Sequence, residues 1–385
     1  MPKPLRILTV IGARPQIIKA AAISHAVRGR FQGRLVETLL HTGQHYDANM
    51  SQVFFDELGI PGADIALGVG SGAHGAMTAR MIEGIEKELQ TGKHDVVLLY
   101  GDTNSTLAGA VAAAKLHIPV AHVEAGLRSF NKAMPEEVNR IVCDHCSTWL
   151  FCPTDTAVEN LLREGFKQAN EASPTVDRPR VAATGDVMYD NSMRFAELAE
   201  SRSRLLKELH LEGKDFVLAT VHRDHNTDDP VRINAIFTAL LDLHRLHDLP
   251  VVLPVHPRTR KMMDSLLHGH LQAAIEEAPY FHLVPPVGFL DMIALERNAK
   301  LVVTDSGGVQ KEAYFFGKPV VVLRPETEWV ELVANGQAVL ADADPSRIAE
   351  VAAMFLHDGV PDCPPIFGDG HAAEAICEVL LEGHG

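Results

Sequence analysis

Short apolar runs recur along the whole chain, and each one ends in a cluster of small or polar residues before an amphipathic stretch begins. That alternation constrains the fold more than any other feature, because strands buried on both faces with helical crossovers make a parallel α/β sheet. The first half offers strands at Leu5–Ile11, Leu35–His41, Asp95–Tyr100, Val120–Val123, Trp149–Cys152 and Val181–Thr184. A second series runs through Phe216–Val221, Val251–Val255, His282–Val284, Leu301–Thr304, Val320–Leu323 and Ala338–Leu340. Each series is long enough for one doubly wound domain. The pattern predicts an α/β protein of two Rossmann-like domains, residues 1–186 and 187–369, around an interdomain cleft. The stretch Gln168–Arg180 reads as a surface loop, and a helix is expected after the Pro364-Pro365 turn, over residues 370–385. Ligands of such sheets gather beyond the carboxyl ends of the strands, so the polar clusters there are the candidate site.

At 385 residues the chain is long enough for two or three cores. A formal net charge of -15 argues against nucleic acid and anionic membranes as partners, yet leaves room for a local pocket that binds phosphate. Five cysteines make no disulfide framework, which points to a reducing cytoplasm. No apolar run approaches the roughly 18 residues of a membrane span.

The sharpest motif is Thr304-Asp305-Ser306-Gly307-Gly308, between an apolar strand and Val309-Gln310-Lys311-Glu312. Free amides at a helix start favour an anion, and two glycines let a phosphate approach the backbone. Glu312 falls about one turn further on, within reach of whatever the phosphate carries. The plainer reading is an ordinary N-cap at Asp305 or Ser306. In the first half, Gly12-Ala13-Arg14-Pro15 sets Arg14 after a strand with Lys19 about one turn on. These are two cations for phosphate or developing negative charge, or surface ion pairs. Tyr100-Gly101-Asp102, His122-Val123-Glu124 and Pro135-Glu136 put Asp102, Glu124 and Glu136 near one another in such a fold. Three carboxylates in one place cannot all stay ionised cheaply, so at least one is expected to hold a proton and serve as acid beside a base. Glu136 and Arg140 are spaced for a helical ion pair. His222 and Arg223 follow a strand of the second half, with Asn226-Thr227 continuing the loop, and His256 follows another strand, where it binds ligand or caps. Cys143-Asp144-His145-Cys146 has metal-like spacing without a second ligand pair, and Gly68–Gly75 is a glycine-rich loop that follows no strand; neither a metal nor a dinucleotide cofactor is expected.

Taken in order, Gly12-Ala13-Arg14-Pro15, Gly101-Asp102-Thr103, His122 to Arg128, Pro135 to Arg140, His222-Arg223 and Thr304 to Glu312 resemble the non-hydrolysing UDP-N-acetylglucosamine 2-epimerase family over nearly the whole chain. The resemblance implies a glycosyltransferase-B-like fold, a homodimer, a C-terminal helix returning to the first domain, and inversion at carbon 2 by elimination and re-addition of UDP. For that reaction we read Asp102 and Glu136 as the proton-transfer pair, in either order of acid and base, with Glu124 positioning or sharing the proton. His222, Arg14, Arg223 and the Ser306-Gly307-Gly308 helix end attend the departing diphosphate, Lys19 and Arg140 join them in binding substrate, and Glu312 holds hydroxyls.

This chain departs from the best-known members at several points. Gln16 stands where they commonly carry Glu, and Asp47 stands where many carry a Gln for a second, activating UDP-N-acetylglucosamine, although Gln44 and His256 match that second site. The loop from Val221 to Asp228 also differs from theirs. These departures resemble the branch acting on UDP-2,3-diacetamido-2,3-dideoxy-glucuronate, an O-antigen precursor. The alternatives are epimerisation of UDP-N-acetylglucosamine itself, a glycosyltransferase of the same architecture, a hydrolysing epimerase, and a non-catalytic nucleotide-sugar sensor.

Overall fold

The computed structural model describes residues 3–43, 59–60, 62–167, 173–362 and 364–383. They divide into two compact units, the first comprising residues 1–191 and 365–385 and the second residues 192–364. The division falls inside the helix Val187–Arg202.

The first unit holds β1 (Leu5–Ile11), β2 (Leu35–His41), β3 (Ile65–Ala66), β4 (Val96–Tyr100), β5 (Val120–Val123), β6 (Trp149–Cys152) and β7 (Arg180–Ala183). They form one sheet in the order β3-β2-β1-β4-β5-β6-β7, parallel throughout. Every residue of β4, β5 and β6 is buried, as a sheet covered on both faces requires. The helix Asn104–Lys115 is almost entirely Ala, Gly and other small residues, so it can lie close to the sheet; an added Cβ on its Gly109 would crowd Leu99 of β4. Met77, Met81, Ile85 and Leu89, spaced at helical intervals on His74–Thr91, fill the same core. The C-terminal helix Ala372–Glu382 belongs to this unit. Asp190 caps it by accepting from the amides of Ala372 (3.0 Å) and Ala373 (2.8 Å), and Arg30 pairs with Glu374 and Glu378. Burial raises the Asp190 carboxyl to about 6, the two amides acting against it.

The second unit holds β8 (Val217–Thr220), β9 (Val251–Pro254), β10 (Phe281–Val284), β11 (Leu301–Thr304), β12 (Val320–Val322) and β13 (Ala338–Leu340). Its order is β10-β9-β8-β11-β12-β13, again all parallel. The helices Pro230–His247 and Pro345–Asp358 cover one face and bury Phe237, Leu240 and Phe355 with the strand valines. Each such side chain contributes about 1.5–3 kcal/mol.

Both sheets wind outward in two directions from a central pair, β1 and β4 in one and β8 and β11 in the other. At such a pair the crossovers leave to opposite faces, and a crevice opens at the carboxyl ends of the two strands. The sequence motifs fall there. Two expectations need correction. The strand β3 was not foreseen, because two residues show no periodicity, so the Gly68–Gly75 stretch does follow a strand and leads into the helix His74–Thr91. Asn226 and Thr227 do not continue a loop but close the helical turn Asp224–Thr227.

Candidate functional site

In the first unit, the turn after β1 is held by Gln16. Its Oε1 accepts from the amides of Gly12 (2.8 Å) and Ala13 (3.2 Å), and its Nε2 donates to the Tyr100 carbonyl (2.8 Å) and Thr106 Oγ1 (3.0 Å). The side chain thereby ties the ends of β1 and β4 together. It also fixes the start of the helix Arg14–Arg28, which presents Arg14 exposed and Lys19 half-buried. Pro15 stands in the first turn of that helix, where a missing amide costs nothing.

Lys19 is ion-paired with Glu124, whose side chain is 6% exposed. Glu124 follows β5 with φ of 68°, a left-handed conformation that costs a residue with a side chain about 1–3 kcal/mol. The chain tolerates that strain because the conformation turns the carboxylate toward the end of β4. An added Cβ on Gly101 would lie 3.2 Å from Lys19 Nζ and 3.3 Å from Glu124 Oε2, so the glycine makes room for this pair. Asp102, the next residue, pairs with Arg140 of the helix Pro135–His145.

Arg140 does not take Glu136, the partner its spacing suggested. It binds Glu137 at 2.7 Å, and Glu137 also accepts from the amides of Ser129 (2.9 Å) and Phe130 (3.0 Å) and from the Ser129 hydroxyl (3.0 Å). Burial would raise the Glu137 carboxyl, but these donors and the guanidinium hold it below its usual range. Glu136 is exposed in the first turn of the same helix. Asn139 steadies the neighbourhood by donating to the Asp102 carbonyl at 2.9 Å. The expected cluster of three crowded acids is therefore resolved differently. Asp102 and Glu124 each face a cation of their own, and Glu136 lies at the surface.

In the second unit the organiser is Asp305, fully buried after β11. Its carboxylate accepts from the amides of His222 (3.1 Å) and Arg223 (3.0 Å), from the Asn226 amide group (3.0 Å) and from His222 Nδ1 (3.1 Å). Burial would raise this carboxyl, but the His222 hydrogen bond and charge, with the amide donors, hold it below its usual range. Asp305 thus ties the end of β8 to the end of β11, while Ser306 is the N-cap and accepts from the Val309 amide at 3.4 Å. An added Cβ on Gly307 would collide with the Glu328 carboxylate, and Trp329 Nε1 donates to the Gly307 carbonyl at 2.8 Å. Glu312 Oε2 lies 3.9 Å from the Cβ position of Gly308, one turn along, at the mouth of the helix. Behind it Glu296 is completely buried against the Glu312 carboxylate. Burial foremost, and the Glu312 carboxylate next, push the Glu296 carboxyl well above the ordinary range.

Of the remaining expectations, His256 caps the start of the helix Pro257–Leu266, its Nδ1 accepting from the Arg258 amide at 3.3 Å. Gln44 and Asp47 lie outside the described residues. In the Cys143–Cys146 segment, Asp144 is engaged by His122 and Arg128, and no group of metal-ligating residues occurs among the described residues. Nor is any helix among them long and apolar enough to cross a membrane. Gln16, Glu137, Asn139, Asp305 and Glu296 were not singled out as site residues. Of these only Gln16 and Asp305 closely follow a strand end, and that signal does not separate organisers from ordinary caps.

A family model described as UDP-N-acetylglucosamine 2-epimerase matches residues 30–381. Over 378 residues the chain is 48% identical to the UDP-2,3-diacetamido-2,3-dideoxy-D-glucuronate 2-epimerase of Pseudomonas aeruginosa, covering 98% of this chain and 100% of that one. The crystal structure of the Methanocaldococcus jannaschii UDP-GlcNAc 2-epimerase in complex with UDP-GlcNAc and UDP superposes with a TM-score of 0.82 at 35% identity, over 98% of this chain and 100% of that chain. Phytolacca americana UGT2, complexed with UDP-2fluoro-glucose and pterostilbene, superposes with a TM-score of 0.56 at 12% identity over 98% and 94% of the two chains, a likeness of fold alone. The fold is glycosyltransferase-B-like.

Proposed function

The chain belongs to the UDP-N-acetylglucosamine 2-epimerase family and is a UDP-sugar 2-epimerase, and we propose that its natural substrate is UDP-2,3-diacetamido-2,3-dideoxy-glucuronate. The observation that carries the substrate reading is the end-to-end similarity to a relative named for that uronate, well above the similarity to the solved UDP-GlcNAc 2-epimerase.

The reaction sets two tasks. The hydrogen on carbon 2 of an acetamido sugar is very weakly acidic, and loss of UDP from carbon 1 is what makes its removal feasible. The C1–O bond breaks with its electron pair leaving on the diphosphate, the carbon 2 proton passes to a base, and a glycal remains. UDP then adds back to carbon 1 while carbon 2 takes a proton on the opposite face.

In this reading Ser306, Gly307 and Gly308 receive the diphosphate on amides, with His222, Arg223 and Arg14 stabilising its growing charge and Glu312 taking hydroxyls. Asp102 and Glu136 transfer the proton, and Glu124 positions it or shares it. Lys19 lies against Glu124, and Arg140 against Asp102. No nicotinamide is needed, because the hydrogen leaves as a proton. The reading also takes the enzyme to act in the cytoplasm as a homodimer, supplying a precursor of a surface polysaccharide such as O-antigen.

The test is proton NMR of the purified enzyme in deuterium oxide, with the diacetamido-uronate and UDP-N-acetylglucosamine in separate tubes. Deuterium at carbon 2 of a new manno-configured UDP-uronate is the expected result. Fast conversion of UDP-N-acetylglucosamine with an inert uronate would overturn the substrate assignment. Unlabelled sugar in both tubes would bring forward the glycosyltransferase of like fold.

A further inference from the structure

Two turns of the first unit carry the candidate carboxylates, Gly101-Asp102 after β4 and Glu124-Ala125-Gly126 after β5. Both are fastened to one buried ion pair. His122, on β5, donates from Nε2 to the Gly101 carbonyl at 2.8 Å and from Nδ1 to Asp144 Oδ1 at 2.6 Å. Asp144, on the helix Pro135–His145, accepts in turn from the Gly126 amide at 3.1 Å and from Arg128 Nη1 at 2.7 Å. The side chains of His122 and Asp144 are both 0% exposed.

A carbonyl oxygen can only accept. A carboxylate already receiving a guanidinium and an amide also accepts, so both ring nitrogens of His122 must carry protons. The ring is an imidazolium sealed from water. Burial works against its charge, but Cys143 and Asp144 beside it prevail and hold it well above the ordinary histidine range. Burying an ion pair is weak evidence of added stability, because desolvation offsets most of the attraction. What the pair does supply is geometry. Gly126 has φ of 77°, and Asn160 Nδ2 donates to its carbonyl at 3.0 Å, so the turn after Glu124 is gripped from both sides. Arg128 then anchors Asp144 from behind, bound to Glu164 through Nε (2.7 Å) and Nη2 (2.6 Å).

We propose that His122 and Asp144 are positioning residues for the epimerisation, one buried imidazolium–carboxylate pair that sets the Asp102 and Glu124 turns at a fixed separation. The pair touches neither sugar nor diphosphate. It acts through the Gly101 carbonyl on one side and the Gly126 amide on the other. The proposal rests on the proton-transfer roles given above to the carboxylates.

The test compares wild type with His122→Gln, Asp144→Asn and the double variant. The readouts are carbon 2 hydrogen exchange in deuterium oxide, KM, UDP binding by calorimetry, and nitrogen NMR of histidine-labelled wild type. Each single variant should lose about 10²-fold in exchange rate, the scale of a 1 Å misplacement. KM and UDP affinity should stay within about twofold, and the double variant should be no worse than the singles, as residues of one coupled unit behave. The nitrogen spectrum should show both nitrogens of one buried histidine protonated from neutral to mildly alkaline pH. Unchanged exchange, additive losses, variants that lose UDP binding and fold together with activity, or a neutral His122 ring would each overturn the proposal. Wild type that exchanges neither sugar would instead overturn the carboxylate roles, while the ring spectrum would still decide whether the ion pair exists.

Discussion

The two units solve the same problem with opposite materials. Each sheet opens a crevice between its central strands. In the first unit that place is furnished with side-chain charges in matched pairs, Lys19 with Glu124 and Arg140 with Asp102 and Glu137. In the second it is furnished with backbone. Asp305 is spent gathering the amides of His222 and Arg223, and the helix beginning at Gly307 offers its own N–H groups. Amides do not titrate and cannot be exchanged for bulk water, so they suit a diphosphate whose charge persists through the reaction. Carboxylates beside cations suit a step in which a proton must move, because small changes in their surroundings shift the balance between the two forms. Under the proposed function, the two linings divide the labour between nucleotide and proton.

Four substitutions would break or sharpen that contrast. The largest effect is expected from Asp102→Asn, which should slow carbon 2 exchange by about 10²–10⁴-fold, the usual share of a general acid or base. UDP binding by calorimetry should persist; a parallel loss of UDP affinity would mean that the charged lining also holds the nucleotide. Gly126→Ala comes next. Its Cβ would collide with the Ala157 carbonyl at a φ that favours glycine, so a loss of about 3 kcal/mol is expected, read as a lower midpoint in denaturant. An unchanged midpoint would show that the turn after β5 is softer than its contacts suggest.

Glu296→Gln tests the second unit through pH. The wild-type carboxyl is held above its ordinary value, so its contribution is complete only in acid and is lost as pH climbs from about 4.3 toward its folded value. Wild type should therefore lose stability relative to the Gln variant by up to about 1.4 kcal/mol per pH unit over that window. Parallel stability curves would mean that Glu296 is ionised in the folded protein. The smallest effect belongs to Ser306→Ala. Removing the cap should cost about 1 kcal/mol and weaken UDP binding about fivefold, with the exchange rate at saturating sugar little changed. A large fall in that rate would blur the separation of tasks.

Much of this architecture could be read before any coordinates. Leu301–Thr304 and Val120–Val123 form strands within the foreseen bounds, because fully buried parallel strands are continuous apolar runs. The strand β3 escaped, since Ile65-Ala66 is two residues long and owes its pairing to β2 rather than to any local pattern. At the site, the residues nearest the strand ends were identified, but their partners were not. Arg140 sits equally well by spacing for Glu136 or Glu137, and only the burial of Glu137 under the Ser129 amide decides between them. Asp305 looked like one more cap because the amide donors it gathers lie some 80 positions earlier in the chain, a distance over which sequence carries no register.

Gln16 carries a consequence of its own. A carboxylate at that position could accept from Gly12 and Ala13 but could not donate, and even with a proton it could make only one of the two donations, to the Tyr100 carbonyl or to Thr106 Oγ1. The amide makes both at any pH. In this chain the corner that sets Arg14 and Lys19 is indifferent to acidity, and any pH dependence of the enzyme must arise from other groups. A relative with an acid at that corner has a further titration there, so the two could share a fold, a substrate and a mechanism and still differ in the acidity at which they work best.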